Sequence, residues 1–353
     1  MKAFLTPLQG FAEFEQIKEK SKTNKGILQV SGCMESQKSH LMYGLSGIAP
    51  YRLILAEDER RAREIYEDYR FYDRKVYSYP AKDLLFFQAD IHGNLLIRQR
   101  MKVIKVLLEE KELTVVTSID GCMDFLESLE KIKEQLIHYE SDSTVDIEQL
   151  KNQLVALGYE RVGQVEMPGQ FSVRGGIVDI YCLTEENPWR IELWGDEIDS
   201  IRSFDPESQR SLENLEELTI YPAVEHIGDK DMVSFLDYFP EERTIIFLDE
   251  PNRSNRLTEK GGAVEEEYRQ SRMHREEKGS RNLPENWLCS FEQLQKELNK
   301  RNCISVCALE PKQAGWKVRE KFYLEVKSIS AYNNSFELLV KDLLQYKSQG
   351  YRI

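Results

Sequence analysis

Eight consecutive residues have the types and spacing to hold a phosphate. Gly32-Cys33-Met34-Glu35-Ser36-Gln37-Lys38-Ser39 follows an apolar run and precedes a helical stretch, and it fits the phosphate-loop pattern at Gly32, Lys38 and Ser39. In such a loop, backbone N–H groups cradle the phosphates, the lysine reaches the terminal ones and the hydroxyl holds Mg2+. The fit fails at the second glycine, where Gln37 stands. That glycine lets the backbone curl with no side chain in the way. A glutamine forced into a left-handed conformation costs about 1–2 kcal/mol and also occupies phosphate space. Glu35 adds negative charge where an anion would sit. Asp249-Glu250, after the apolar run Thr244 to Leu248, stands where a metal-binding strand end belongs, with Pro251 immediately after it. Even an intact loop needs groups that neutralise the transition-state charge, often an arginine supplied across an interface. The expectation is a vestigial loop without ATP hydrolysis or cofactor, with Lys38 only a solvated or helix-pairing lysine.

A second chemistry is recognition. In Trp189-Arg190-Ile191-Glu192-Leu193-Trp194 the side chains alternate faces, so Trp189, Ile191 and Leu193 share one face and Arg190, Glu192 and Trp194 the other. A tryptophan beside an arginine on a polar face has the composition of an interface hot spot. The competing reading has Trp194 covering a second buried layer. Phe86-Phe87 could stack on bases, but adjacent phenylalanines in an apolar segment are more often core.

Other groups exclude chemistries. Cys33, Cys122, Cys182, Cys289, Cys303 and Cys307 are scattered without paired spacing, and Cys303 and Cys307 lie in an apolar run, as buried thiols do. No histidine pairs with a cysteine or carboxylate at metal spacing, so no metal is expected. His226 reads as structural. The charged stretch after Gly261-Gly262, including Glu265-Glu266-Glu267-Tyr268-Arg269, reads as a solvated helix. A net charge of −13 argues against broad duplex binding, which needs many phosphates neutralised. With 353 residues, 31% charged and 41% hydrophobic, the chain is expected to form two or three globular domains. MKAFLTPLQGF lacks the apolar core of a signal peptide, and no run approaches the roughly 20 apolar residues of a membrane span. The expected location is the cytoplasm.

The elements that position these groups alternate at first between strand and helix. Strands are predicted at Gly26–Ser31, Tyr51–Ala56, Val76–Pro80 and Leu113–Ser118, with helices from about 57 to 70 and 95 to 110. That alternation implies a parallel sheet covered on both faces. From about Ile137 the pattern changes: a helix from Asp146 to Leu157, then short strands broken by Pro168-Gly169, Gly175-Gly176, Asn187-Pro188 and Gly195-Asp196. Alternation returns after about Tyr221-Pro222 with Arg243–Leu248 and Cys303–Cys307. The predicted division is an α/β domain over 1–136 and 223–353, interrupted by an inserted α+β domain over 137–222.

Three stretches carry a resemblance. Arg174-Gly175-Gly176-Ile177-Val178-Asp179-Ile180-Tyr181, Arg190-Ile191-Glu192-Leu193-Trp194-Gly195-Asp196-Glu197-Ile198, and Ile201-Arg202-Ser203-Phe204-Asp205-Pro206 with Gln209-Arg210-Ser211 together resemble the amino-terminal region of the bacterial transcription-repair coupling factors (Mfd), the part related to the excision-repair protein UvrB. Weaker resemblance runs from Thr6-Pro7-Leu8 onward. It implies a UvrB-like fold: a degenerate P-loop, RecA/helicase-like parallel-sheet domain interrupted by the insert. The implied work is to hold UvrA, the damage-recognition protein, and bring it to stalled RNA polymerase. Matched residue by residue, the UvrA contacts fall on Arg174, Arg190 and Trp194; another aromatic can stand at the last position in the family.

The resemblance also implies losses. UvrB's long DNA-clamping hairpin arises between strands like Val76–Tyr79 and Leu113–Ser118, and this interval has little room for one. The UvrB-like helicases close their nucleotide site with a second motor domain, and the chain ends without room for one. The expected protein is therefore a fragment, a non-catalytic adaptor that competes for the surface UvrA offers UvrB. Its UvrA face would be masked in the intact family protein until the motor engages, and RNA polymerase and DNA are met there by regions absent from this chain. The alternative is a degenerate nucleotide- or DNA-binding domain with weak residual affinity; a blander one is a structural clamp on its own chain.

Overall fold

The computed structural model describes residues 2–22, 25–81, 90–225, 232–251, 288–310, 316–326 and 332–351, with a few positions between 262 and 273. In chain order the strands are β1 (Gly26–Ser31), β2 (Tyr51–Ala56), β3 (Val76–Tyr79), β4 (Leu113–Ser118), β5 (Phe125–Glu127), β6 (Ile137–Glu140), β7 (Glu160–Arg161), β8 (Gln170–Arg174) and β9 (Ile177–Ile180). There follow β10 (Trp189–Trp194), β11 (Glu197–Phe204), β12 (Ser211–Leu215), β13 (Glu217–Ile220), β14 (Met232–Ser234), β15 (Thr244–Asp249), β16 (Asn302–Val306) and β17 (Val318–Tyr323).

Seven strands form one sheet in the order β17-β1-β16-β15-β2-β4-β3, and every neighbouring pair is parallel. Parallel strands linked by helices are covered on both faces, so they read as continuous apolar runs; β2, β4 and β15 are buried at every position. The helix Glu59–Arg70 starts where Asp58 accepts a hydrogen bond from the Arg61 N–H at 2.7 Å. The edge strand β17 reads Val-Arg-Glu-Lys-Phe-Tyr, a polar stretch whose only buried residue is Phe322, and periodicity does not find it.

Six further strands form a second sheet in the order β12-β11-β10-β9-β8-β7, antiparallel except for the short β7–β8 pair. Its tight corners fall where the sequence punctuates: Gly175 and Gly195 hold φ 62° and 65°, the left-handed region glycine enters without steric cost. The chain reaching this sheet and the chain leaving it lie side by side, because β6 pairs antiparallel with β13 and sets Ile137 opposite Ile220.

The helix Asp90–Glu109 grips the second sheet's loops. Arg98 Nη2 donates to the Glu185 carbonyl at 2.7 Å, Lys102 pairs with Glu186 at 2.5 Å and Lys105 with Glu185 at 2.6 Å. One hydrophobic core runs through both sheets, from Leu53 and Val115 to Ile191 and Trp189. Inside it lies the buried Arg100, which pairs with Asp124 at 2.7 Å and with Glu225, donates to the Pro80 carbonyl at 2.7 Å and sits 4.2 Å over the Tyr79 ring. All six cysteines are buried thiols, and burial pushes Cys303 and Cys307 up to about 12. Among the described residues no helix is long and apolar enough to cross a membrane. Phe86, Phe87 and His226 lie outside the described residues.

Candidate protein-binding face and the closed stretch from Gly32 to Ser39

β8, β9 and β10 bring the predicted recognition residues onto one sheet face. Trp189 and Ile191 point into the core, while Arg190 stands directly opposite Asp179 of β9. Asp179 is wholly buried and accepts from Arg190 Nε at 2.7 Å, from Arg190 Nη2 at 2.9 Å and from Arg174 Nη2 at 2.6 Å. The hydrogen bonds it donates to Asp179 hold the Arg190 guanidinium above its ordinary pKa, against the effect of its partial burial. Arg190 also lies 4.4 Å over the Phe204 ring and reaches Gln209 Oε1 at 3.1 Å. Beside this group Glu192 pairs with Arg202 and accepts from Ser200 Oγ at 3.2 Å.

Trp194 lies on the same face four residues beyond Arg190, about 13 Å along the strand. It is 84% exposed, which removes the second-buried-layer reading. The β10–β11 hairpin holds it by its backbone, with Trp194 paired to Glu197 across the Gly195-Asp196 turn.

The stretch from Gly32 to Ser39 is closed. Only Gly32, Cys33 and Met34 separate β1 from the helix Glu35–Gly44. Gln37 therefore sits in the first turn of that helix, which corrects the expectation that it is forced left-handed; the left-handed residue is Gly32, at φ 82°. Two loop amides are already committed, Gly32 N–H to the Ala308 carbonyl at 3.2 Å and Cys33 N–H to the Cys307 carbonyl at 3.1 Å. Lys38 is a second correction. It is fully buried rather than solvated, with its ammonium 2.7 Å from Glu35, 3.2 Å from Asp249 and 2.7 Å from Glu250. Glu35 supplies the helix-pairing contact, while Asp249, expected at a metal position, is taken up by Lys38 and by Arg61, 2.7 Å away. Arg61 also meets Glu35 at 2.7 Å. Three carboxylates thus face two cations, leaving the pocket net negative where phosphate would need positive charge. Ser39 is buried as well.

Gly32 is needed for this closure. A Cβ there would lie 2.1 Å from the Leu324 carbonyl oxygen, at a φ that L-residues avoid. Gly32→Ala is expected to destabilise by about 2 kcal/mol or more in urea unfolding; a change below about 0.5 kcal/mol would show that the loop yields freely.

Comparison with known proteins bears on the same segment. Residues 137–226 match the family model described as the UvrB interaction domain. A transcription-repair-coupling factor of Bacillus subtilis is 36% identical over 213 residues, covering 56% of this chain and 18% of the relative. Those of Staphylococcus haemolyticus and Staphylococcus aureus are each 35% identical over 162 residues, covering 46% of this chain and 14% of theirs. The chain resembles the amino-terminal region of the transcription-repair coupling factors. It spans less than a fifth of the length of these relatives. The matched residues 137–226 contain Arg174, Asp179, Arg190 and Trp194.

Some of this organisation escapes sequence reasoning. Asp179 does leave a local signal, because a carboxylate between Val178 and Ile180 in an apolar strand requires a cation. Phe204 and Gln209 lie on other elements and give no local signal. The β6–β13 ribbon also sets His138 Nε2 3.7 Å from both Glu140 and Glu217, with Thr219 Oγ1 3.0 Å from His138 Nδ1, although no histidine was expected beside carboxylates. All three side chains are exposed, and proximity is their one credential as ligands.

Proposed function

We propose that this chain is a non-catalytic adaptor region of a transcription-repair coupling factor, which recruits the excision-repair protein UvrA to stalled transcription complexes in the cytoplasm. The observation that carries the reading is that the UvrB-interaction match at 137–226 encloses a sheet face bearing Arg174, Arg190 and an 84% exposed Trp194. Trp194 supplies a large apolar anchor. The arginines supply directional hydrogen bonds to carboxylates or carbonyls. We take residues 137–222 as an inserted domain, since β6 and β13 bring its two ends together. Most of the length of the relatives lies outside the matched residues, and we assign RNA polymerase and DNA to those parts.

The test is calorimetric titration of the chain with purified UvrA beside an Arg174→Ala/Arg190→Ala variant of confirmed fold. Hot-spot truncation costs about 2 kcal/mol or more, so the variant should bind at least roughly thirtyfold more weakly. Equal binding by both proteins would move the contact elsewhere, and no binding by the parent would end the recruitment reading.

We read Gly32 to Ser39 as a lapsed phosphate loop, supported by the buried Lys38 network and its excess of carboxylate. Millimolar Mg-ATP should therefore leave the thermal midpoint unchanged. A saturable rise of several degrees would instead favour the residual nucleotide-binding reading.

A further inference from the structure

The two arginines of the proposed face are not equivalent. Arg190 is held on three sides: Asp179 takes Nε and Nη2, Gln209 shares Nη2, and the Phe204 ring lies 4.4 Å beneath the guanidinium. Gln209 is itself fixed, at φ 61° with Nε2 donating to the Pro206 carbonyl at 2.8 Å. With its side chain only 15% exposed, Arg190 has little left to offer a partner. Arg174 holds Asp179 by one Nη2 contact at 2.6 Å and keeps 46% of its side chain exposed. Asp179 is therefore the shared post between a buried guanidinium and an exposed one. The trio sums to one positive charge, while neighbouring Glu192 and Arg202 cancel each other.

Resting on the recruitment reading above, we infer that Asp179 is a positioning residue: with Arg190 as strut, it fixes Arg174 at the rim, and the face suits a partner surface offering a single carboxylate within reach of an apolar recess for Trp194. Preorganisation matters because a long arginine side chain loses rotamer freedom whenever it is ordered, and ordering it before binding removes that cost from the association. Breaking a buried, charge-assisted network also reorganises both guanidinium groups, not only the one in contact.

The sign of one substitution separates positioning from charge compensation. Asp179→Asn makes the face more positive. Were Asp179 only neutralising the arginines, an acidic partner would bind the variant more tightly. As a positioning residue its loss should weaken UvrA binding by at least about tenfold, and should weaken it by less than about twofold when Arg174 is already alanine. Equal or tighter binding by Asp179→Asn overturns the proposal. Gln209→Gly tests the roles without touching Asp179, because glycine accepts the φ of 61° and, of the two arginines, only Arg190 loses a contact. Binding within about twofold of wild type is expected, and a tenfold loss would make Arg190 the contacting group and overturn the assignment. In the free protein the Arg190 Nε–H resonance should be resolved and slow to exchange, then broaden in Asp179→Asn; a signal unchanged by that substitution overturns the positioning half alone. Failure of the wild-type chain to bind UvrA overturns the partner half together with the recruitment reading.

Discussion

Lys38→Ala is expected to lower folding stability by about 3–5 kcal/mol, read from urea unfolding at neutral pH. The reason is asymmetry. Removing one member of a buried ion network leaves the others desolvated and uncompensated, and that costs far more than the intact pair contributes. Here Glu250 loses its cation and Asp249 is left to Arg61 alone, both carboxylates being buried at the end of β15. In an open phosphate loop the same lysine faces solvent, and its loss would change stability by no more than about 0.5 kcal/mol. A small effect would therefore reopen the nucleotide reading. The pH dependence supplies a second check. Burial opposes the Lys38 charge, but Asp249, Glu250 and Glu35 outweigh it and raise the pKa above 10.5. A group whose folded pKa lies above its unfolded value contributes fully below the unfolded pKa and loses that contribution as pH climbs through the folded one. Wild type should lose stability on the alkaline side, above about pH 10.5, where the alanine variant has no such contribution to lose.

Trp194→Ala should behave in the opposite way, with UvrA affinity falling at least roughly thirtyfold while stability stays within about 0.5 kcal/mol. The side chain is 84% exposed and lies outside the buried clusters, so folding gains little from it. An exposed aromatic of that size on a rigid hairpin is costly to leave in water unless something covers it, and hot spots are enriched in tryptophan for the same reason. Trp194→Phe keeps a smaller apolar anchor and should retain an intermediate affinity. A fall in stability that parallels the fall in affinity would mark Trp194 as part of the sheet's own packing. Full affinity in the alanine variant would remove it from the interface.

What could be read from the residues follows the range of the interactions. The buried strands β1, β2, β4, β15 and β16 show as short apolar runs, and each was placed within about a residue because burial on both faces leaves few polar positions. The two faces of β10 were legible because alternation needs only neighbours. The edge strand β17 was not, since only Phe322 of it is buried. For Lys38 the helix pairing with Glu35 is local, but its burial against Asp249 and Glu250 is not legible: these partners lie more than 200 positions away, and only β15's place near β1 in the sheet brings them together. Arg190 gave the same difficulty on a smaller scale. Its opposite neighbour Asp179 follows from hairpin register, but the Phe204 ring and the Gln209 amide arrive from β11 and the turn after it.

The grip of the helix Asp90–Glu109 on Glu185 and Glu186 has a mechanical consequence. With three cations along that helix engaging one loop and a core continuous between the sheets, the Trp194 face is a rigid handle rather than a float on a string. A cargo held there is delivered in a set orientation, and its local concentration is governed by geometry instead of tether length. Pulling on the handle loads the parallel sheet directly.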